Sequence, residues 1–198
     1  MESSNSSRSG EQRRPTRRRQ FGLRTLLIAI AACAAVAAFV TPPYRHLIRN
    51  QRVAQALRSQ GILVAGPLDT VYLADWTLEE AQLRELCDSM REVGGPKKLV
   101  MWNVVYDRGV PLPLKGLDRV QYLDLNSSNI DDYSLTELPF LPNLEEVQLA
   151  HTGITSHALE LLGRCPSLAR VDLRGTSITS EAIAKFRSDH ETVEVDWP

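Results

Sequence analysis

Aliphatic residues recur along the second half of the chain with a period of 24. Three segments align without gaps: VQYLDLNSSNI from Val120, LEEVQLAHTGI from Leu144 and LARVDLRGTSI from Leu168. The aligned columns read Val120, Leu144, Leu168; then Leu123, Val147, Val171; then Leu125, Leu149, Leu173. Ser128, Thr152, Thr176 and Ile130, Ile154, Ile178 follow, and the register persists through Leu135, Leu159, Ile183 and Leu138, Leu162, Phe186. Self-similarity at such a period is the signature of stacked supersecondary units, none of which can bury its apolar face alone. Within each copy the L-x-L alternation predicts a short strand with one face buried, because strand side chains alternate sides. The later apolar pair three residues apart predicts a helical turn packed behind it.

Weaker copies extend the array in both directions. Leu99-x-Met101-x-x-Val104-x-Tyr106 precedes the Leu123 copy by 24, but Pro111 and Pro113 in its back segment predict irregular structure in place of a helix. Val71-x-Leu73-x-x-Trp76-x-Leu78 stands earlier, offset by 28, with Leu83 and Leu86 repeating the back spacing. Val193-x-Val195 predicts a last strand, and Ile62 to Val64, followed by Gly66-Pro67, a capping strand at the start. Ser134 with Glu137 and Thr77 with Glu80 have the spacing of capping boxes, which predicts a helix start at each.

This pattern resembles the leucine-rich-repeat family over roughly residues 70–196. Units such as LARVDLRGTSITSEAI are similar to repeats of short bacterial membrane-anchored members. The resemblance implies an α/β fold: a right-handed leucine-rich-repeat solenoid, with parallel strands on one face and helices on the other. It also implies binding of proteins or peptides. The chain departs from the family pattern where an asparagine commonly bonds turn backbone groups, carrying Ser128, Thr152 and Thr176 instead. A hydroxyl has fewer bonding sites, so looser turns are expected.

The N-terminal fifth has a different pattern. Residues 1–22 are rich in Ser, Arg and Gln with no apolar period, and are expected to be disordered. Thr25 to Tyr44 then runs without a charge, long enough for a helix to cross a ~30 Å hydrocarbon layer. A single transmembrane helix is expected over 23–41, with a juxtamembrane stalk helix over 42–61 and the repeat domain over 62–198. The stalk starts from Thr41 and Pro42 and stops at Gly61.

The overall formal charge of −1 conceals an asymmetry that orients this segment. Arg8, Arg13, Arg14, Arg17, Arg18, Arg19 and Arg24 precede it, against Arg45, Arg49, Arg52 and Arg58 shortly after. The positive-inside rule then puts the N-terminus in the cytoplasm and the repeat domain in the periplasm or otherwise outside. Three other readings stay open: a cleaved signal peptide with a small-residue site at Ala32-Cys33-Ala34, a lipoprotein signal ending at Cys33, and a twin-arginine signal at Arg18-Arg19. All deliver the remainder of the chain to or across a membrane. A basic flank beside an apolar run sets topology, so no nucleic-acid partner is expected.

With 43% hydrophobic residues the chain can build a core. Cys33, Cys87 and Cys165 fit no metal spacing, and the last two are expected to pack as small apolar side chains. No phosphate loop, zinc signature or calcium loop occurs, and no cofactor is expected. Residues between the buried aliphatics should face outward from the strands. The central column is expected to read Tyr72, Val100, Asp124, Gln148, Asp172, Glu194, flanked by Lys98, Tyr122, Glu146, Arg170 and by Trp102, Asn126, Ala150, Arg174. Aromatic and arginine side chains are frequent anchors of binding sites. The candidate partner-binding residues are therefore Tyr72, Trp102, Tyr122, Asp124, Gln148, Arg170, Asp172 and Arg174. A solvated sheet surface with no partner explains the same residues. Ser127, His151 and Asp172 sit near one another in the alignment, but a shallow face without a Gly-rich turn offers no oxyanion site, so binding rather than catalysis is expected.

Overall fold

The computed structural model describes residues 47–197. The expected disordered segment, the expected membrane span over 23–41 and Cys33 lie outside them. Among the described residues no helix is long and apolar enough to cross a membrane.

The described residues begin with a helix, α1, over 47–59, ended by a turn in which Gly61 takes φ +84°. Strands β1 (Leu63–Ala65) and β2 (Thr70–Tyr72) pair antiparallel. A further short strand, β3 (Thr77–Leu78), leads into helix α2 (Glu80–Arg91). Strands β4 (Lys98–Val100) and β5 (Val105–Tyr106) follow, then β6 (Tyr122–Asp124) and two 3-10 turns, Tyr133–Leu135 and Leu138–Phe140. The chain closes with β7 (Glu146–Gln148), α3 (Ala158–Leu162), β8 (Arg170–Asp172), α4 (Ser180–Asp189) and β9 (Glu194–Asp196).

One sheet runs through the array in the order β1-β2-β4-β6-β7-β8-β9, with every pair after the first parallel. Its middle row is Val71, Leu99, Leu123, Val147, Val171 and Val195, each directly paired with the next. The 24-residue period and the 28-residue offset of the first copy are thus the lengths of successive turns. A second sheet, unanticipated from the sequence, pairs β3 with β5 in parallel.

The core fills the space behind the main sheet. Leu73, Met101, Leu125, Leu149 and Leu173 are fully buried, as are Leu83, Leu112, Leu114, Leu117, Leu135 and Leu138 from the back segments. Burial of this kind contributes about 25 cal/mol per Å² of apolar area removed from water. Cys87 and Cys165 are free and buried, and burial pushes both thiols up to about 12.

Strands β2, β4, β6, β7 and β8 each exit through a residue in the left-handed region: Asp75, Asn103, Ser127, His151 and Gly175, with φ between +53° and +67°. The chain therefore reverses at the same point in every turn. Backbone pairing continues past the strands, with Leu73, Met101, Leu125, Leu149 and Leu173 each donating its N–H to the next turn. Asp75, Asn103, Ser127 and His151 do the same two residues later. The expectation of loose turns is corrected by this ladder and by the hydroxyls themselves. Ser128 Oγ accepts from Val104 N at 2.9 Å and donates to Met101 O at 2.7 Å, tying two turns together. Thr152 and Thr176 close their own turns on Leu149 O and Leu173 O.

The back segments follow the sequence less closely. The unit after β6 carries 3-10 turns where a helix was expected, with Pro139 inside the second. Ser134 is no N-cap; it lies within the first turn and bonds Asp131. Nor does Thr77 cap α2: Glu79 is the N-cap, and Gln82 Oε1 accepts from its N–H at 3.1 Å. The proline-rich stretch does replace a helix, as expected. Arg91 from α2 pins it, donating to Pro113 O and Lys115 O.

At the N-terminal end, Ala54 and Leu57 of α1 belong to the same core as the repeats. Arg58 donates to Val64 O and Gly66 O, each at 2.9 Å, fastening the helix to the β1–β2 hairpin. The segment expected as a stalk thus serves, over its described part, as a cap on the first turn.

Candidate functional site

Parallel pairing in register gathers the candidate residues on the sheet face opposite the core. The central column is Tyr72, Val100, Asp124, Gln148, Asp172 and Asp196. Glu194, expected at its end, instead pairs with Arg170 and closes the flanking column of Lys98, Tyr122, Glu146 and Arg170. The turn between β8 and β9 is 24 residues long as well, so Val195 and not Val193 enters the buried row. Trp102 and Arg174 stand exposed at the strand exits. Between them Asn126 is half-buried, its Oδ1 accepting from Ala150 N at 2.7 Å.

Two of the residues expected on the open face are covered. Ala150 is buried, and Asp172 is only 1% exposed. Arg174 folds back over Asp172, its Nε and Nη2 donating to the two carboxylate oxygens at 2.9 and 2.6 Å, while its backbone N–H adds a third bond. Burial pushes the Asp172 carboxyl up, but the hydrogen bonds and charge of Arg174 outweigh it and hold the group below its ordinary range. Asp172 therefore anchors Arg174 and presents little surface of its own.

Charge on the remaining face is partly paired. Arg170 bridges to Glu146 at 3.0 Å, and Gln148 Nε2 donates to the same carboxylate at 2.9 Å. The Lys98 ammonium lies over the Tyr122 ring, 5.4 Å from its centre. Asp124 differs. Its Oδ1 accepts from Asn126 N at 3.0 Å, and among the described residues no ion pair reaches it. Burial raises its pKa, and the negative charge of Asp172 adds to the effect. Tyr122 is pushed up to about 12 by burial and by the carboxylates of Asp124, Glu146 and Asp172.

Of the residues weighed for hydrolysis, Asp172 and His151 are both engaged with neighbours. Both Asp172 oxygens are engaged by Arg174, and the His151 imidazole packs over Gly175, where a Cβ would overlap it. Among the described residues no cluster of His, Cys, Asp and Glu has the form of a metal site.

An open concavity of about 460 Å³ lies between α3 and α4 on the helix side, lined by residues including Glu160, Arg164, Lys185, Phe186 and His190. Sequence reasoning missed it because its walls come from the back segments of neighbouring turns.

The fold defines the class as a mixed α/β chain built on a largely parallel sheet of stacked turns, compatible with a leucine-rich-repeat pattern. A solved structure of an internalin from Listeria monocytogenes is similar to it at 14% identity and a TM-score of 0.35, over 61% of this chain and 47% of that one. This chain thus spans under half of that structure. No protein-family model matches the sequence, and no curated protein matches it.

Proposed function

We propose that this is a leucine-rich-repeat protein, anchored in a membrane through residues 23–41, that presents its strand face outside the cytoplasm to a protein or peptide partner. It acts by binding, without cofactor or catalysis. The observation carrying this reading is the row of exposed and half-buried aromatic and polar side chains on one sheet face: Tyr72, Trp102, Tyr122, Asp124, Gln148 and Arg170, with Arg174 held at its end by Asp172. Trp102 is 44% exposed, and aromatic side chains of that kind are frequent anchors of binding sites. The fixed sheet lowers the ordering cost of binding, since the presented side chains rise from paired backbone.

A structural envelope role without a specific ligand is favoured by one observation, the internal pairing of Arg170 with Glu146 and of Arg174 with Asp172. Affinity capture from solubilised membranes separates the two. With Trp102→Ala, Tyr122→Ala and Arg170→Ala combined, the partners recovered by the unaltered chain should be lost. An unchanged set of partners would remove the strand face as the binding site.

A further inference from the structure

We propose that the strand face receives a basic side chain, with Asp124 as the counter-charge for a lysine or arginine of a partner polypeptide lying across β4, β6 and β7. This rests on the strand-face reading above and names the chemistry of its partner.

The inference follows from which charges are already satisfied. Glu146 has Arg170, and Asp172 has Arg174, whereas Asp124 has no cationic partner among the described residues. Its direct neighbours across the sheet are Val100 and Gln148, both uncharged. Lys98 is diverted onto the Tyr122 ring. Asp124 is already half-buried in the free protein. Any partner that covers it must supply positive charge or hydrogen-bond donors, because an ionised carboxylate sealed under an apolar surface loses its hydration without return. An acidic partner would set its charge against the uncompensated carboxylate of Asp124, whereas a basic one pairs with it.

The surroundings suit such a side chain. Tyr122 lies two residues before Asp124 on the same face of β6. Trp102 is two residues beyond Val100 on the adjacent strand line, ~8 Å from Asp124 by ordinary strand rise and spacing. Aromatic faces attract ammonium and guanidinium groups, and the exposed Trp102 ring has no cation over it among the described residues. The free oxygen of Asp124 stays available, since the Asn126 N–H occupies Oδ1.

An array of immobilised twelve-residue peptides of randomised sequence, probed with the full chain in detergent micelles, tests this. Bound peptides should be enriched in lysine or arginine, and Asp124→Asn should weaken them about thirty-fold or more, as removing one member of a covered charge pair does. Glu181→Gln, the same change of charge on α4, should leave binding unaltered. Bound peptides without basic enrichment, or undiminished binding to Asp124→Asn, would overturn the inference. If such peptides still lose affinity on Trp102→Ala and Tyr122→Ala, the strand-face reading survives and only the basic partner falls. If binding is indifferent to those two changes, or no peptide binds, both fall.

Discussion

Gly175 and His151 show how a single position can be fixed by its neighbour one turn away. Four residues in the left-handed exit column carry side chains, and Gly175 alone does not. Its bareness admits the His151 imidazole, which occupies the space a Cβ would need. Gly175→Ala therefore combines two costs: a left-handed alanine, about 1 kcal/mol, and the clash with His151. We expect about 2–3 kcal/mol of lost stability in total by denaturant titration. In a His151→Ala background the same change should cost only about 1 kcal/mol, since the clash is gone. Equal costs in both backgrounds would mean that the ring moves aside freely. The spacing of His151 and Gly175 was legible in the alignment, but their contact was not, because no periodicity reports which way an imidazole lies.

Between neighbouring turns, the hydroxyl column determines how firmly one element is tied to the next. Ser128 is buried and serves both an N–H and a carbonyl of the preceding turn, whereas Thr152 accepts nothing and donates only within its own. Ser128→Ala leaves Val104 N–H and Met101 C=O without partners and should cost about 1–3 kcal/mol. Thr152→Ala should cost less. A shift of the urea midpoint at constant slope would measure each, and a larger loss for Thr152→Ala would contradict the bridging role. The strands themselves were legible from the L-x-L alternation. The back segments were not: Leu135 and Leu138 have helical spacing, yet they fall in 3-10 turns. Apolar spacing of three is common to both helix types, and Pro139 removes a backbone donor. Elsewhere side chains bridge turns in place of backbone. Asn129 accepts from Tyr106 N and donates to Tyr106 O, and Asp132 accepts from Thr155 N and Oγ1. Polar residues of that kind read as ordinary loop composition until their partners, a full turn distant in sequence, are known.

For the whole molecule, stability is the sum of turn-to-turn interfaces, and the ends require covering. Helix α1 and the antiparallel β1–β2 hairpin cover the first turn, with Ala54 and Leu57 in the core. The proposed orientation in a membrane belongs to this scale. The arginine distribution around residues 25–44 predicts that protease added to intact spheroplasts digests the described domain. Protection of that domain would place it in the cytoplasm and reverse the proposed topology.

The sequence by itself determined the period, the buried rows and the parallel stacking. Each follows from aliphatic side chains repeating at fixed spacing, and a continuous core leaves few other ways to bury them. It also placed Tyr72, Trp102, Tyr122, Asp124, Gln148, Arg170 and Arg174 along one surface. Tertiary structure alone decided which of their charges are satisfied. Asp172 looked like its column-mates and proved buried beneath Arg174, and the last strand entered the row at Val195, setting Asp196 and not Glu194 in the centre. Periodicity fixes where a backbone goes, but the rotamer of a long arginine, and hence the local electrostatics, depends on contacts that no single repeat contains.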